Sequence, residues 1–389
     1  MSEASDGRHI AMLVRNPYTH DTRVEKEART LTGAGYRVTI VADAGPGLPE
    51  REARAEAVVI RAPRRRPALP GVRFVLQQAR LARVLRDLRP DVIHAHDSNA
   101  LVPVALAARA LDVPYVYDAH DLWLGRPRRE RSPIYFALNQ LYYAVVEWML
   151  VRRAAATITV SPPIAEHLAR RYGLPHVDFV PNYPEPPGNL RARDIRSLPG
   201  AERLGRDAPI VLYVGGLMGG RGLEELVDAM AHVEGAALVL LGDGVLAGPL
   251  QKRAARAGTG ERVHILPPVA PADLIDVAAS AAVGVSPIVP SCLNYRYSLP
   301  NKLFQYMAAG LPVVASDFPQ VREIVEASAC GMVVDTRRPA EIAGAINRIL
   351  ADPEAARAMG VRGRQAVEER FNWAGSARAL LDVYGRLTR

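Results

Sequence analysis

Short apolar runs alternate with helical segments along nearly the whole chain, and this alternation constrains the fold more than any other feature. The clearest apolar runs are residues 9–14, 36–42, 57–61, 91–95, 114–118, 210–214, 237–241 and 263–266. Strands connected by helices pair in parallel, because each helix carries the chain back to the same edge of the sheet. The sequence therefore predicts an α/β protein with doubly wound parallel sheets, in which ligands bind at the carboxyl ends of the strands.

A stretch rich in proline and arginine, residues 181–209, separates two halves of the chain. The 389 residues are enough for two domains of ordinary size. We predict a first domain at residues 1–185, a linker at 186–208, a second domain at 209–370, and a C-terminal helix at 371–389 that crosses back to the first domain. Two such domains would form a cleft between them, which is a common place for a small-molecule site.

The net charge of +8 comes almost entirely from arginine, because only three of the 49 basic residues are lysine. No nucleic-acid-binding motif accompanies this charge, so we expect no nucleic-acid partner. The two cysteines, Cys292 and Cys330, lack the spacing of a metal or redox site and fit a reducing compartment. With no signal peptide and no uncharged apolar run of about 18 residues, the sequence predicts a cytoplasmic protein.

Residues 298–316 carry the most specific local pattern, SLPNKLFQYMAAGLPVVAS. Pro300 suits the start of a helix, Gly310 suits its end, and a short apolar strand follows. The unpaired amides of a helix N-terminus, with Lys302 beside them, form a natural site for an anion such as a diphosphate. The segment alone is equally compatible with an ordinary helix–strand unit that happens to contain a lysine.

A glycine-rich turn follows the first strand of the second half and reads GGLMGGRG from Gly215 to Gly222. Glycines allow a phosphate to approach the backbone, and the planar guanidinium of Arg221 can contact phosphate oxygens in two places. Alone, such a turn is more often a plain connection between a strand and a helix. Together with Lys302, it indicates a phosphate-binding edge of the second sheet.

These two segments resemble the nucleotide-sugar motif of family 4 retaining glycosyltransferases. The resemblance extends over about residues 10–381 and is strongest over 211–316. It implies a GT-B architecture, in which two Rossmann-like doubly wound domains face each other across a cleft. It also implies sugar transfer from a nucleotide-diphosphate donor, with UDP expected, to a hydroxyl acceptor, with retention at the anomeric carbon. No Asp-X-Asp motif occurs in the chain, which fits a mechanism without a metal ion.

The resemblance assigns Arg221 and Lys302 to the donor diphosphate as catalytic residues. It assigns further positions to donor binding, namely Gly215, Gly216, Gly220, Leu266, Pro300, Asn301, Leu303 and Gln305. Gly216 stands where the family commonly has arginine, Gln305 where it has the glutamate that binds the donor ribose, and Tyr297 where it has a second acidic residue. We therefore expect weaker nucleotide binding, because hydrogen bonds to a charged group are stronger than those to a neutral one.

The first half contributes polar residues after the predicted strands. The resemblance assigns His120, which follows the strand at 114–118, to a catalytic contact with the donor sugar. His94 and His96 could mimic a metal pair, but alternation along a strand places both on one face without any ligand. The loop after the first strand provides acceptor-side candidates, which are Asn16, His20, Asp21 and Arg23. Asp21 could equally cap the following helix.

Two arginine clusters in the first half could dock on anionic lipid, because the second cluster precedes a helix rich in apolar residues. The clusters are Arg61, Arg64, Arg65 and Arg66, and Arg126, Arg128, Arg129 and Arg131. Solvated arginine loops beside a core helix are the simpler interpretation. Peripheral contact with the inner face of the membrane is the alternative.

Two other functions share the implied architecture. A nucleotide-sugar 2-epimerase would need an acidic and histidine catalytic set that we do not find in the chain. An inactive or weakly active nucleotide-sugar-binding protein would explain Gly216 and Gln305. Turnover of a nucleotide sugar separates the enzyme from the binding protein, and the acceptor could belong to polysaccharide, glycolipid or natural-product assembly.

Overall fold

The computed structural model describes residues 7–19, 21–63, 70–127, 132–185 and 188–387, and the chain divides into two compact units. Unit 1 contains Met1–Asn182 and Ser376–Arg389, and unit 2 contains Tyr183–Gly375. Each unit has its own parallel-dominated sheet. The predicted α/β class with two Rossmann-like domains is confirmed.

Unit 1 alternates strands and helices along the chain. Its strands are β1 (His9–Leu13), β2 (Arg37–Asp43), β3 (Arg51–Ala53), β4 (Val58–Ala62), β5 (Val92–His96), β6 (Tyr115–Ala119), β7 (Ala156–Thr159) and β8 (Asp178–Phe179). Its helices are α1 (Thr22–Gly33), α2 (Pro70–Asp87), α3 (Leu101–Leu111), α4 (Pro133–Leu150) and α5 (Pro162–Tyr172), with short 3-10 turns at Ser98–Ala100, Trp123–Gly125 and Val151–Arg153.

In the described part of unit 1, the strands form one sheet in the order β3-β4-β2-β1-β5-β6-β7-β8. Neighbours pair in parallel except β3, which is antiparallel to β4. The sequence analysis missed β3, because its residues Arg-Glu-Ala form no apolar run. The strand order reverses between β1 and β5, so the loops after these two strands open a crevice at the carboxyl edge of the sheet.

Burial explains why the strand predictions were accurate in position. Strands β1, β5 and β6 are buried along their whole length, as strands covered by helices on both faces must be. Capping residues set where the following helices begin. Asp21 accepts a hydrogen bond from the amide of Val24 at 3.3 Å at the start of α1, and Ser161 accepts one from Ile164 at 3.4 Å at the start of α5.

Unit 2 repeats the alternation. Its strands are β9 (Ile210–Val214), β10 (Ala237–Leu241), β11 (Val263–Leu266), β12 (Val283–Ser286), β13 (Val313–Ser316) and β14 (Gly331–Val334). Its helices are α6 (Leu223–Ala229), α7 (Ala247–Arg256), α8 (Leu274–Ala278), α9 (Leu293–Tyr297), α10 (Asn301–Ala308), α11 (Pro319–Ala327), α12 (Pro339–Ala351) and α13 (Pro353–Glu369), and the chain ends in α14 (Trp373–Leu387). Short 3-10 turns lie at Ile195–Ser197 and Met230–His232.

The described strands of unit 2 form a parallel sheet in the order β11-β10-β9-β12-β13-β14. The order reverses between β9 and β12, which is the Rossmann arrangement and places a ligand crevice at their carboxyl ends. Alternate residues of β9 enter different cores, since Val211 and Tyr213 lie in one buried cluster and Leu212 and Val214 in another. Helices therefore cover both faces of the sheet.

The segment predicted as a linker, residues 186–208, contributes to the core of unit 2. Within its described part, residues 188–208, four side chains are buried in that core: Ile195, Leu198, Ala201 and Leu204. These four residues recur every three positions, and this spacing could have identified the segment as part of the core. Proline and arginine dominate its composition, which led to the linker prediction.

Helix α14 begins at Trp373, and from Ser376 onward the chain belongs to unit 1. Within unit 1, the Ser376 hydroxyl donates to the carbonyl of Pro181 at 2.8 Å, and Arg386 pairs with Asp178 at 2.7 Å. Among all helices that the structure describes, none has both the length and the apolar character required to cross a membrane.

Candidate active site

A buried ion pair lies at the carboxyl edge of the unit 1 sheet. Asp118, near the end of β6, accepts hydrogen bonds from Arg23 Nε at 3.0 Å and Nη2 at 2.9 Å. Arg23 also donates to the carbonyl of Val180 at 2.7 Å and lies 3.0 Å from the Glu27 carboxylate. The side chains of Arg23, Glu27 and Asp118 are all buried. Because guanidinium and carboxylate meet in a bidentate geometry, the pair fixes α1 against β6.

The buried carboxyl groups of this cluster have different charges at neutral pH. Burial raises the pKa of Glu27 to about 8, so this group is mostly protonated. Burial also favours the neutral form of Asp118, but Arg23 and His120 outweigh burial and hold the Asp118 pKa well below the ordinary carboxyl range. Asp118 therefore carries the negative charge of the cluster.

His120 follows β6 and faces this charge. Its Nε2 lies 2.7 Å from the Asp118 carboxylate and 3.0 Å from Nδ1 of His96. Burial opposes the charged imidazolium, but Asp118 and Asp97 outweigh burial and raise the pKa of His120 to about 9. The side chain is 20% exposed, and its Nδ1 has no hydrogen-bond partner in the part of the chain that is described. His120 is thus a cation with one N–H available to a ligand.

Four buried side chains form a group that could hold a metal ion: Glu27, His94, His96 and Asp118. Each offers one donor atom, and these four atoms lie within 4.8 Å of one another. The two histidine rings stack at 4.2 Å, as alternation along β5 predicts. Burial lowers the pKa of both histidines. A metal ion here would have to compete with Arg23 and with His120 for the Asp118 carboxylate, so the residues fit an ion pair better than a metal site.

The acceptor-side candidates prove to have different roles. Asn16 accepts a hydrogen bond from the amide of Tyr18 at 2.7 Å and donates to Asp21 at 2.8 Å, so both side chains shape the loop. Asp21 caps α1, which confirms the capping alternative. Arg23 needs correction, because its guanidinium is buried against Asp118 and is not presented to an acceptor. His20 lies outside the described residues.

In the predicted lipid-docking clusters, Arg61 is internal and Arg126 is half-buried in ion pairs, which corrects the assignment of these two side chains to lipid. Arg61 is buried and donates to the Glu52 carboxylate at 2.7 Å. Arg126 donates to Asp121 at 2.7 Å and lies 3.9 Å over the ring of Trp123. The other members of the clusters, Arg64, Arg65, Arg66, Arg128, Arg129 and Arg131, lie outside the described residues.

The glycine-rich turn of unit 2 follows β9 at the point where the strand order reverses. Gly215 and Gly220 have φ values of 123° and 79°, which L side chains rarely adopt. At Gly220 a Cβ atom would also come within 2.7 Å of the ring of Tyr295. The amides of Gly216, Gly219 and Gly220 have no acceptor among the residues that the structure describes. The turn therefore offers several free N–H groups to an anion.

Two cations converge on this turn. The Lys302 ammonium lies 4.2 Å from the ring centroid of Tyr213, and the Arg221 guanidinium 5.0 Å from that of Tyr295. Within the described ranges, neither cation has a carboxylate at salt-bridge distance. Burial and the neighbouring Arg221 lower the pKa of Lys302 to about 7. A bound anion would offset both the burial of Lys302 and its repulsion by Arg221, so the arrangement of the two cations suits an anion.

Helix α10 holds Lys302 in place through Tyr306, which lies one helical turn later. The Tyr306 hydroxyl accepts a hydrogen bond from the amide of Val214 at 2.9 Å, at the end of β9. Its ring packs against Gly284 in β12, where a Cβ atom would come within 2.4 Å of the ring. The start of α10 is thereby fixed over the gap between β9 and β12.

The other predicted donor-binding residues differ in burial and in hydrogen bonding. Leu303 is buried in the core, and its amide donates to the carbonyl of Pro300 at 3.0 Å, so this amide is not free for a phosphate. The Leu266 side chain is also buried in the core. Asn301 is exposed, and the half-buried Gln305 side chain has no hydrogen-bond partner within the described part.

Sequence reasoning missed three members of the unit 1 cluster as functional candidates. Asp118 stands two residues before His120 and Glu27 four residues after Arg23, so strand alternation and helical spacing could have identified both. His96 was considered only as half of a metal pair. Its contact with His120 joins two strand ends that are distant in the sequence, and no local pattern reports such a contact.

The low pKa of Lys302 predicts a pH-dependent affinity for nucleoside diphosphates. With a free-protein pKa of about 7, Lys302 must take up a proton when an anion binds above neutral pH. We expect the Kd of a nucleoside diphosphate to rise above pH 7.5, approaching about tenfold per pH unit. Calorimetric titration between pH 7.5 and about 9 measures this change. Lys302→Ala should bind weakly at every pH with a flat profile, and an equally steep profile in that variant would refute the assignment.

Solved structures share this fold over almost the whole chain. Sucrose-phosphate synthase from Thermosynechococcus elongatus superposes with a TM-score of 0.81, covering 98% of this chain and 99% of that chain at 22% identity. Anabaena HepE, in complex with UDP and glucose, superposes with a TM-score of 0.75, covering 97% and 100% at 19% identity. The two Rossmann-like units therefore define a GT-B fold, the architecture of a large class of glycosyltransferases.

Sequence models of two glycosyltransferase families match the two units. The model described as Glycosyltransferase Family 4 matches residues 21–183, and the model described as Glycosyl transferases group 1 matches residues 208–352. The chain belongs to the family 4, group 1 glycosyltransferases, as the sequence resemblance implied.

Curated relatives also span most of the chain. The D-inositol 3-phosphate glycosyltransferase of Xylanimonas cellulosilytica is 29% identical over 316 residues, which is 77% of this chain and 72% of the relative. The 2-deoxystreptamine glucosyltransferase of Streptomyces kanamyceticus is 27% identical over 390 residues, which is 94% of this chain and 98% of the relative. Glycosyl transfer is thus common to the family, whereas the named compounds differ between relatives.

Proposed function

We propose that the protein transfers a sugar from a nucleoside-diphosphate sugar, with UDP as the nucleotide, to a hydroxyl acceptor. The observation that carries this proposal is the convergence of Arg221 and Lys302 on the glycine-rich turn, where no carboxylate of the described residues pairs with either cation. Two cations and several free amides fit a diphosphate ligand better than they fit a ligand with a single carboxylate. Anabaena HepE, which has the same fold, has been solved with UDP and with UDP-glucose, which supports this donor class.

In this proposal, catalysis consists mainly of stabilising the leaving diphosphate. Arg221 and Lys302 neutralise the charge that develops on the diphosphate, and the free amides of Gly216 and Gly220 donate to its oxygens. The cationic His120 donates its free N–H to the transferred sugar. The acceptor hydroxyl attacks from the face on which the leaving group departs, and the leaving phosphate takes the hydroxyl proton. The anomeric configuration is retained, and the two side chains supply the positive charge without a metal ion.

The acceptor in this proposal is a polyhydroxylated compound in polysaccharide, glycolipid or natural-product assembly. Two relatives carry names that include D-inositol 3-phosphate and 2-deoxystreptamine, both of which are polyhydroxylated rings. These names support the chemical class of the acceptor rather than one compound.

The proposal is tested with purified protein and a panel of UDP-, GDP- and ADP-sugars in the presence of EDTA. We expect saturable binding of one donor and slow release of its nucleoside diphosphate, which acceptors of the proposed class accelerate. Proton NMR of the product should show an anomeric centre with the configuration of the donor. Inversion would refute the retaining mechanism, and activity only after a metal is added would refute metal independence.

A second function, nucleotide-sugar binding without turnover, is favoured by one observation. Gln305 and Tyr297 stand on α10 and α9 where the family pattern has two acidic residues, and Gly216 replaces a basic residue. Saturable binding of a donor, with no nucleotide release in the presence of any acceptor, would support this function over transfer.

Replacing Gln305 with glutamate should tighten donor binding if the side chain faces the ribose. A carboxylate accepts stronger hydrogen bonds from ribose hydroxyls than an amide does, and we expect about a fivefold decrease in the Kd of UDP. Inorganic pyrophosphate, which has no ribose, should bind the variant no more tightly than the wild type. An unchanged Kd for UDP would place the ribose elsewhere.

A further inference from the structure

Helix α4 of unit 1 is apolar on two opposite faces. One face carries Tyr143 and Val146, which are buried against the rest of the unit. The other face is exposed, and its side chains recur every three or four residues along the helix: Ile134, Leu138, Leu141, Val145 and Trp148. Ile134 is 73% exposed and Leu141 62%. A helix that is apolar all round is normally buried on all sides, so the exposed face lacks the surroundings that its composition fits.

The first turns of α2 extend this exposed face. Phe74 of α2 meets Tyr142 of α4 edge to face, with 5.4 Å between the ring centroids. Beside Phe74, the exposed side chains of α2 are Val72, Val75 and Leu76. Of the fourteen large apolar side chains that the described residues expose, eleven lie on these two helices. We call this surface the α2–α4 face, and a patch of this kind marks a docking surface.

The exposed charges on the described parts of α2 and α4, and directly after α4, are almost all positive. Exposed arginines lie on α2 and directly after α4: Arg73, Arg83, Arg86, Arg152 and Arg153. Arg152 lies over the ring of Trp148 at 5.1 Å, which joins a cation to the apolar stripe. On the described parts of the two helices, the one exposed carboxylate is Asp87, since Glu147 is buried and bonded to Ser98 and Tyr172.

We propose that the α2–α4 face docks on an anionic lipid bilayer. The apolar side chains would enter the boundary between headgroups and acyl chains, and the arginines would contact lipid phosphates. Trp148 and Tyr135 combine an apolar body with a polar atom, which suits them to that boundary. A second copy of the chain fits less well, because two arginine-bordered faces would repel each other. This inference concerns unit 1 and does not depend on the donor site of unit 2.

Flotation of the full chain with lipid vesicles tests the proposal. We expect binding to phosphatidylcholine vesicles that contain about 30% phosphatidylglycerol, weaker binding at high salt, and little binding to phosphatidylcholine alone. The double variant Leu138→Asp/Leu141→Asp should lower the partition coefficient about tenfold or more, because it places charges where apolar side chains insert. Both leucines are exposed, so the variant should keep the thermal stability of the wild type.

Two controls make the outcome decisive. Val361→Asp changes an apolar side chain on α13 of unit 2 that is 66% exposed, and it should leave vesicle binding unchanged. Arg73→Glu/Arg83→Glu should weaken binding to anionic vesicles by about fivefold per residue. Equal binding by wild type and the leucine variant would overturn the proposal. A wild-type dimer that the leucine variant abolishes, without vesicle binding by either, would show that a second copy covers the face and would also overturn it.

Discussion

Replacing Lys302 with methionine should remove most of the activity and at the same time make the protein more stable. In the proposed mechanism, Lys302 neutralises the leaving diphosphate, and loss of one such group costs about 10²- to 10³-fold in rate. The gain in stability follows from burial, which together with Arg221 lowers the pKa of Lys302 to about 7. A buried cation without a carboxylate partner destabilises the folded state, and methionine fills the same space without a charge.

The sign of this effect can be checked against pH. Because the pKa of Lys302 is lower in the folded state than in the unfolded chain, the destabilisation is complete below pH 7 and fades as the pH rises above it. Lys302→Met should therefore raise the free energy of unfolding by a few kcal/mol, about twice as much at pH 6 as at pH 9. Urea denaturation at both pH values measures the gain. Lys252→Met, at an exposed lysine of α7, should change neither stability nor activity.

Either of two results would contradict the account of Lys302. Near-normal turnover in Lys302→Met would exclude a role at the diphosphate. A loss of stability that is the same at pH 6 and pH 9 would show that Lys302 is a structural group with an ordinary pKa.

Replacing Asp118 with asparagine should strongly destabilise unit 1. The variant removes the bidentate partner of the buried Arg23 guanidinium and leaves only Glu27, a mostly protonated carboxyl, beside it, which should cost about 3–5 kcal/mol in the free energy of unfolding. It also removes the charge that raises the pKa of His120, so the alkaline limit of kcat should move from about pH 9 toward the ordinary histidine range. Urea denaturation and kcat at saturating donor, measured across pH, report the two effects separately.

Matched variants distinguish the effect of leaving a buried charge unpaired from the effect of losing a carboxylate. Asp121→Asn changes a carboxylate that is 40% exposed and pairs with Arg126, so its effect on stability should be below about 1 kcal/mol. The double variant Arg23→Met/Asp118→Leu removes both buried charges and should recover much of the stability but none of the activity. If Asp118→Asn is as stable as the wild type, the ion pair does not fix α1 against β6.

The sequence allowed accurate prediction of the strands that lie in the sheet interiors. For β9 and β10, burial on both faces is met by an unbroken apolar run, and such runs identify a strand without knowledge of its neighbours. In β1, β5 and β6 the apolar run also contains a few buried histidine or aspartate residues, but enough of it remains to identify the strand. The edge strand β3 and the strand β14 carry weaker patterns and were missed. The same reasoning missed the core residues Ile195 and Leu198, because proline and arginine dominate the composition around them.

Local patterns also predict an anion site, but they do not predict the surroundings of its residues. The glycine-rich turn and Lys302 could be found from sequence, because each is a short motif with a physical reason. That Tyr213 and Tyr295 lie under the two cations depends on strand order, which no local pattern contains. The role of Arg23 was mistaken for the same reason, since its partner Asp118 lies on a distant strand.

The most direct test of the central claim is a crystal structure with the nucleoside diphosphate that the donor panel selects. The account predicts that the diphosphate lies against the glycine-rich turn, with Lys302 Nζ and the Arg221 guanidinium within hydrogen-bond distance of its oxygens. The amides of Gly216 or Gly220 should complete its coordination. A diphosphate bound elsewhere, with Lys302 still unpaired beside Tyr213, would contradict the assignment of the donor site.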